Sequence, residues 1–169
     1  MFGLLKSWFV TPVRNSNPIL MVIAENQITQ ETLRRDFESL SCKVIPALSG
    51  QNALKSLEMG PLPDVIILDF IISDEDGPTL FRRFAKDKRY SSIPVVPLPF
   101  SLSDELVTGG IKVIGEMPTS PVEITSIPYP LLFSVASVLR KTNAGLPIAF
   151  REKLRSLTRL ITDGIKTSH

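Results

Sequence analysis

The sequence has one cysteine, Cys42, and one histidine, His169, in 169 residues. A single cysteine excludes an internal disulfide and argues against a cysteine-based metal cluster. Cys42 is therefore interpreted as a small buried apolar residue, in a reducing, cytoplasmic setting, and not as a reactive thiol. A lone histidine at the carboxyl end argues against histidine acid–base catalysis, zinc sites and Ser-His-Asp triads.

The sequence also lacks any apolar run of the roughly 18 residues that a membrane span needs. The first stretch, MFGLLKSWFV, is apolar but lacks the charged start and cleavage site of a signal peptide. The formal net charge of +2 is too small to predict a nucleic-acid partner. With 43% apolar and 21% charged residues, the composition is typical of a soluble globular domain.

Short apolar runs alternate along the chain with segments of helical periodicity. Five strands are predicted, over residues 19–24, 43–48, 64–70, 93–98 and 111–115. Helices are predicted over 27–40 with Asn26 as its cap, after Ser49-Gly50, from Gly77-Pro78, and over about 130–141. This alternation favours a parallel sheet covered by helices on both faces.

Three acids follow the predicted strands at their carboxyl ends. Glu25 follows the first strand, Asp69 ends the third, and Asp76 closes the loop after it in the stretch DFIISDEDG. In a doubly wound sheet, ligands and chemistry gather at this edge. Asp69 is therefore the leading candidate for a functional carboxylate.

The order of these stretches resembles a response-regulator receiver domain of the chemotaxis-regulator type. The matching stretches are PILMVIAENQITQETLRR, SGQNALKSL, PDVIILDFIISDEDGPTLFRRF, IPVVPLPF and GGIKVIGEMPTSP, which together cover roughly residues 18–141. The third is the most specific, because it carries the strand, the terminal Asp and the following Asp-Gly. The resemblance implies a flavodoxin-like α/β fold with a five-stranded parallel sheet in the order 2-1-3-4-5, here with an extra carboxyl-terminal helix.

In receiver domains an Asp on strand three accepts a phosphoryl group from a kinase histidine. The resemblance places this phosphoacceptor at Asp69. It places the Mg²⁺ ligands at Glu25, Asp69 and the backbone carbonyl of Ile71. Mg²⁺ is needed in such a site because a carboxylate repels the phosphoryl group that it attacks.

Four positions depart from the receiver pattern. The second acid of the metal pair is Ala24, the Ser or Thr after strand four is Pro99, and the Lys after strand five is Met117. The aromatic switch position is Ile114. Since Met cannot offer the point charge that Lys gives a phosphate, a degenerate receiver, or pseudo-receiver, is predicted. It needs no cofactor, with Mg²⁺ as a weak alternative.

Two interpretations of Asp69 stay open at this point, namely a phosphoacceptor or a strand-end acid hydrogen-bonded to loop amides. Glu25 is either a metal ligand or a charge near the start of the first helix. The predicted function is non-enzymatic signalling through protein–protein contact. The alternatives are a phosphoaspartate-forming response regulator and a membrane-surface adaptor. The predicted partners are other signalling proteins, such as a histidine kinase or an output protein, or a second copy of the chain.

Prolines concentrate after the third strand. Pro97 and Pro99 have the same parity, so their missing N–H groups face the same neighbouring strand. Strand four is therefore expected to end near Val96 or to pair poorly on one side beyond it. The shortened segment that follows leaves only residues 103–108 for a fourth helix.

Three segments are predicted, an apolar extension over 1–17, a receiver-like domain over 18–141, and a linker with an amphipathic helix over 142–169. The stripe of this helix comprises Phe150, Leu154, Leu157, Ile161 and Ile165. The stripe either packs on the domain, joins a second copy or a partner, or lies on a membrane surface.

Overall fold

The computed structural model describes residues 16–98, 126–142 and 144–166. The described strands are β1 (Ile19–Ile23), β2 (Lys43–Ala47), β3 (Val65–Asp69) and β4 (Val95–Leu98). The described helices are α1 (Gln27–Ser39), α2 (Gly50–Met59), α3 (Gly77–Lys86), α4 (Tyr129–Lys141) and α5 (Ile148–Lys166). The strand predicted at 111–115 and the short segment 103–108 lie outside the described residues.

The strands form a parallel sheet in the order β2-β1-β3-β4. This confirms the doubly wound α/β fold and the predicted order of the first four strands. β3 lies beside β1, with Leu20 opposite Val65. All five residues of both strands are buried, as continuous apolar runs at the centre of a parallel sheet require.

β2 lies at one edge of the sheet and carries a proline, Pro46. The N–H of Lys43 donates to the carbonyl of Pro18, and the carbonyl of Ala47 accepts from the N–H of Ala24. The main-chain groups of the odd-numbered residues of β2 therefore face β1. Pro46 has the opposite parity and faces outward. Its missing N–H therefore removes no bond within the described sheet.

β4 runs to Leu98, within the predicted range 93–98, so it does not end near Val96. The alternative, poor pairing on one side beyond Val96, stays a prediction, because no neighbour on the side away from β3 is among the described residues. The carbonyls of Pro94 and Leu98 accept from Ile66 and Phe70 of the β3 side. Pro97, one residue out of phase with them, faces away from β3, so its missing N–H does not interrupt this pairing. Pro99, the second proline of the same parity, lies outside the described residues.

Two apolar layers enclose the sheet. One face packs against α1, α4 and α5, and it includes Leu20 and Val22 of β1. The opposite face packs against α2 and α3, and it includes Met21 and Ile23. This alternation follows from the two-residue period of a strand, and it places both layers around a single sheet.

α5 packs on the domain through the first part of its apolar stripe. Phe150, Leu154 and Leu157 are all buried in the layer that contains α1. The ring of Phe150 lies 6.2 Å from that of Phe37, centroid to centroid. This agrees with the interpretation that the stripe packs on the domain. The side chains of Ile161 and Ile165 are outside the described set. No described helix is long and apolar enough to cross a membrane.

Candidate functional site

Asp69 lies at the carboxyl end of β3, with its side chain fully buried. Its Oδ1 accepts a hydrogen bond from the backbone N–H of Ile71 at 2.9 Å. Its Oδ2 is buried and has no hydrogen-bond partner among the described residues. The carboxyl group is therefore enclosed at the end of a central strand, and only one of its two oxygens has a hydrogen-bond partner among the described residues.

The pKa of Asp69 lies above its ordinary value. Burial raises it, because a charged carboxylate is poorly solvated inside the protein, whereas the N–H of Ile71 lowers it. The charge of Glu25 raises it further. The environment of Asp69 thus makes its charged carboxylate less favourable than that of a solvent-exposed aspartate.

Glu25, directly after β1, is exposed and is hydrogen-bonded to Ser73. Its Oε2 accepts from the backbone N–H of Ser73 at 3.2 Å, and its Oε1 accepts from the Ser73 hydroxyl. Both carboxylate oxygens therefore hold the loop after β3. Asn26, as predicted, caps α1 by accepting from the N–H of Thr29.

Asp74 caps a helix that is distant in sequence. Its Oδ1 accepts from the N–H of Gly50 and its Oδ2 from that of Gln51, both at 3.0 Å. Burial raises the pKa of Asp74, but the hydrogen bonds from Gln51 and Gly50 outweigh it, so the pKa is lowered. The charged carboxylate thus fastens the loop to the amino end of α2.

The last two acids of the same loop also form an ion pair and hydrogen bonds. Glu75 forms an ion pair with Arg83 at 2.8 Å. Asp76 caps α3, because its two oxygens accept from the N–H and the hydroxyl of Thr79 at 2.9 and 2.7 Å. The acids after Asp69 in DFIISDEDG therefore serve the loop and its helices.

Gln30 of α1 is a buried polar residue at the carboxyl ends of β1 and β2. Its side-chain N–H₂ donates to the carbonyls of Val22, Ala24 and Ala47 at 2.7, 3.1 and 2.7 Å. Its side-chain carbonyl is buried without a partner among the described residues. Gln30 thus satisfies three main-chain acceptors next to Ala24 at this edge of the sheet.

The predicted Mg²⁺ ligands fit that ion poorly. Glu25 already accepts from Ser73 through both oxygens, and Ala24 supplies no carboxylate. Among the predicted carboxylate ligands, only Oδ2 of Asp69 is uncommitted. No three His, Cys, Asp or Glu side chains of the described residues are grouped so that they could hold a metal ion.

Of the four departures from the receiver pattern, the described residues include Ala24, which is fully buried. Pro99, Ile114 and Met117 lie outside the described residues. Cys42 is buried as predicted, and burial together with the charge of Asp64 raises the pKa of its thiol to about 12. Such a thiol carries almost no reactive thiolate near neutral pH.

Sequence reasoning missed the roles of Gln30, Ser73 and Asp74. For Gln30 a signal exists, since it shares the spacing of Leu33 and Phe37 and so lies on the inner face of α1. For Ser73 and Asp74 no local sequence pattern exists. Ser73 binds Glu25, which is 48 residues away, and Asp74 binds Gly50 and Gln51, which are 24 and 23 residues away.

Comparison with known proteins gives a likeness of structure. No protein-family model matches the sequence, and no curated protein matches it. The N-terminal domain of a response regulator receiver protein from Methanoculleus marisnigri JR1 is 25% identical, with 47% of this chain and 63% of that chain covered and a TM-score of 0.45. The receiver domain of Francisella response regulator 1452 is 23% identical, covering 48% and 64%, with a TM-score of 0.45.

The chemotaxis response regulator CheY4 of Vibrio cholerae is also similar, at 16% identity, with 48% and 68% covered and a TM-score of 0.47. The chain spans less than two thirds of the first two structures' own length. Its activity and partners are therefore argued from its own residues.

Proposed function

We propose that this chain is a non-enzymatic signalling protein, a pseudo-receiver that acts through protein–protein contact without phosphorylation. The observation that carries the proposal is the state of Asp69, fully buried, held by the N–H of Ile71 and with a raised pKa. Phosphorylation would add about 1.5 to 2 negative charges to a site that already disfavours one.

The surroundings of Asp69 support the same proposal. Glu25 is bound to Ser73, so a metal ion would have to displace that contact. Ala24 and Met117 replace an acid and a cation of the receiver pattern. Without them, neither Mg²⁺ nor the phosphoryl oxygens gain the charge neutralisation that receiver chemistry uses. Mg²⁺ is therefore not required, and the proposed partners are other signalling proteins in a cytoplasmic setting.

The test is incubation of the full chain with Mg²⁺ and an acyl phosphate or phosphoramidate, followed by intact-mass measurement. A competent receiver domain in the same tube shows that the donor is active. We expect no phosphoryl adduct on this chain. A stoichiometric mass gain that vanishes in Asp69→Asn and persists in Asp76→Asn would overturn the proposal, since Asp76 is the matched acid that caps α3.

A second candidate is a working phosphoacceptor. It is favoured by one observation, that Oδ2 of Asp69 has no partner among the described residues. In that case opening of the site would expose a free nucleophilic oxygen. The same mass measurement decides between the two functions, because only the second predicts an adduct at Asp69.

A membrane-surface adaptor is a weaker third candidate. A helix bound to a membrane surface needs its apolar face free, whereas Phe150, Leu154 and Leu157 of α5 are buried in the domain. Vesicle co-sedimentation of the full chain tests it, and we expect the chain to stay in solution.

A further inference from the structure

We infer that a groove between α4 and α5 is the docking surface for an acidic, extended segment of a partner protein. The inference rests on the proposed interaction function, for which it names the surface and the chemistry of the partner. The groove has a volume of about 430 Å³. The residues that we call the arginine groove are Phe133 and Arg140 of α4 with Arg151, Arg155 and Arg159 of α5.

The four arginines are exposed and bring positive charge to one place. In the described part of the chain, no ion pair joins any of them to an acid, whereas Arg34, Arg83 and Arg89 each pair with a carboxylate. Of the acids on α5, neither Glu152 nor Asp163 lines the groove. The surface therefore has unused capacity for anionic groups, in a chain whose net charge is only +2.

The spacing of the arginines fits an extended peptide. Arg151, Arg155 and Arg159 follow one another at intervals of four residues, which is about 6 Å along a helix. In an extended peptide, alternate side chains on one face repeat at about 6.6 Å. Carboxylates at alternate positions of such a segment can thus meet successive guanidinium groups, which bind carboxylates through two parallel hydrogen bonds.

An apolar contact adds to the charges. Phe133 of α4 is 38% exposed at the groove. A partner with one apolar residue among its acids would cover this ring while its carboxylates meet the arginines. This mixed lining favours a protein segment over a phosphate-rich polymer, which would leave the ring exposed.

A membrane surface fits the groove less well than a peptide. The apolar stripe of α5 that would insert among lipids includes Phe150 and Leu157, and both are turned into the core. The exposed apolar residues Ile148 and Leu160 lie 12 positions apart and form no continuous face. For the described side chains of α5, attraction to anionic lipid would therefore be electrostatic.

The first experiment uses a labelled synthetic peptide of about seven residues, with glutamate at alternate positions around one leucine. A matched peptide carries glutamine in place of every glutamate. Fluorescence anisotropy with the full chain is expected to show binding of the glutamate peptide only, and weaker binding as salt is raised. Equal binding of the two peptides, or no binding of either at low salt, would overturn the inference.

The second experiment locates the site with two charge reversals on one helix. Arg155→Glu is expected to weaken glutamate-peptide binding at least about tenfold, the effect of losing a charge-assisted hydrogen bond. Lys153→Glu makes the same charge change at an exposed position outside the groove, and is expected to change affinity by less than about twofold. Thermal unfolding checks that both variants fold. Equal weakening by both variants would show general charge attraction and contradict the inference.

Two further measurements complete the test. The first asks whether a membrane or a nucleic acid binds the arginine groove better than a peptide does, and the second tests the proposed function separately from the groove. Tighter binding of anionic vesicles or single-stranded DNA than of the glutamate peptide would also contradict a peptide site. Failure of the proposed function has a different signature, namely a phosphoryl adduct at Asp69 in the mass measurement. A chain that binds neither peptide and forms no adduct refutes the arginine groove alone.

Discussion

The backbone N–H of Gly77 donates to the carbonyl oxygen of Phe70 at 3.0 Å, so the loop after β3 closes directly on the residue that follows Asp69. The approach leaves no room for a side chain. A Cβ at position 77 would lie 2.3 Å from the Cα of Phe70 and 2.8 Å from its ring. The glycine of DFIISDEDG is therefore required by this contact.

Gly77→Ala is expected to lower the free energy of unfolding by at least about 2 kcal/mol, because backbone must move to admit the methyl group. Gly50→Ala is the matched control. Its Cβ would meet only side-chain atoms, the nearest 3.3 Å away on Leu80, and a change below about 1 kcal/mol is expected. Urea denaturation measures both, and similar losses would show that the close approach is absent.

Asp69 is expected to make the protein less stable as pH rises. Its folded-state pKa is raised, so the folded chain holds the proton more tightly than the unfolded chain, whose value is about 3.9. This contribution is complete below about pH 4 and is lost as pH increases through the folded pKa. The stability of Asp69→Asn relative to the natural chain should therefore increase as pH rises above about pH 4.

Asp74 provides a control for which stability is expected to change with pH in the opposite direction. Its pKa is lowered in the folded state, so its contribution is present above about pH 4 and lost as pH falls through the folded pKa. The deficit of Asp74→Asn should thus shrink on acidification. Urea denaturation from about pH 2 to about pH 8 measures both variants, because the change expected for Asp74 lies below about pH 4 and that for Asp69 above it. Parallel pH profiles for the two would contradict the assigned environments.

Phe150→Ala tests whether α5 is part of the folded domain. The side chain is fully buried against Phe37, and its removal is expected to cost about 3–5 kcal/mol. Ile148, 66% exposed on the same helix, gives the control Ile148→Ala, with an expected change within about 0.5 kcal/mol. Thermal or urea unfolding measures the difference. Equally small losses would mean that α5 does not pack on the domain in solution.

Ser41, just after α1, has φ of 64°, in the left-handed region that favours glycine. Ser41→Gly is expected to stabilise the protein by about 0.5–1 kcal/mol, since backbone strain is relieved. The same substitution at Ser39, the last residue of α1, should instead destabilise by a similar amount, because glycine weakens a helix. Urea denaturation distinguishes the two signs, and a loss of stability at both positions would refute the prediction.

The sequence predicted those features that depend on local patterns. The apolar runs placed β1 and β3, the capping residues Asn26 and Ser49 placed two helix starts, and Asp69 was correctly placed at a strand end. Each of these depends on periodicity or on residues within one turn. For β4, the sequence left two possibilities open, an end near Val96 or poor pairing on one side, because parity alone does not tell which neighbour a proline faces; the strand continues to Leu98.

The hydrogen bonding around Asp69 could not be predicted in this way. Ser73 holds Glu25 and Asp74 holds Gly50 across long sequence separations, and these contacts exist only once the sheet brings its carboxyl ends together. The burial of Asp69 is equally a product of the assembled fold. The residue types therefore indicated a reactive site, whereas their contacts favour a structural one.

Pro46 limits the ways in which a partner can bind this protein. Within the described part of the sheet no strand lies beyond β2, so its even-numbered residues, including Val44 and Pro46, turn their main-chain groups to the outer side, where Pro46 has no N–H to donate. A partner strand added along β2 would leave an acceptor of its own unpaired, and two copies joined there would each suffer the same loss. Recognition at this edge by strand addition is thus disfavoured.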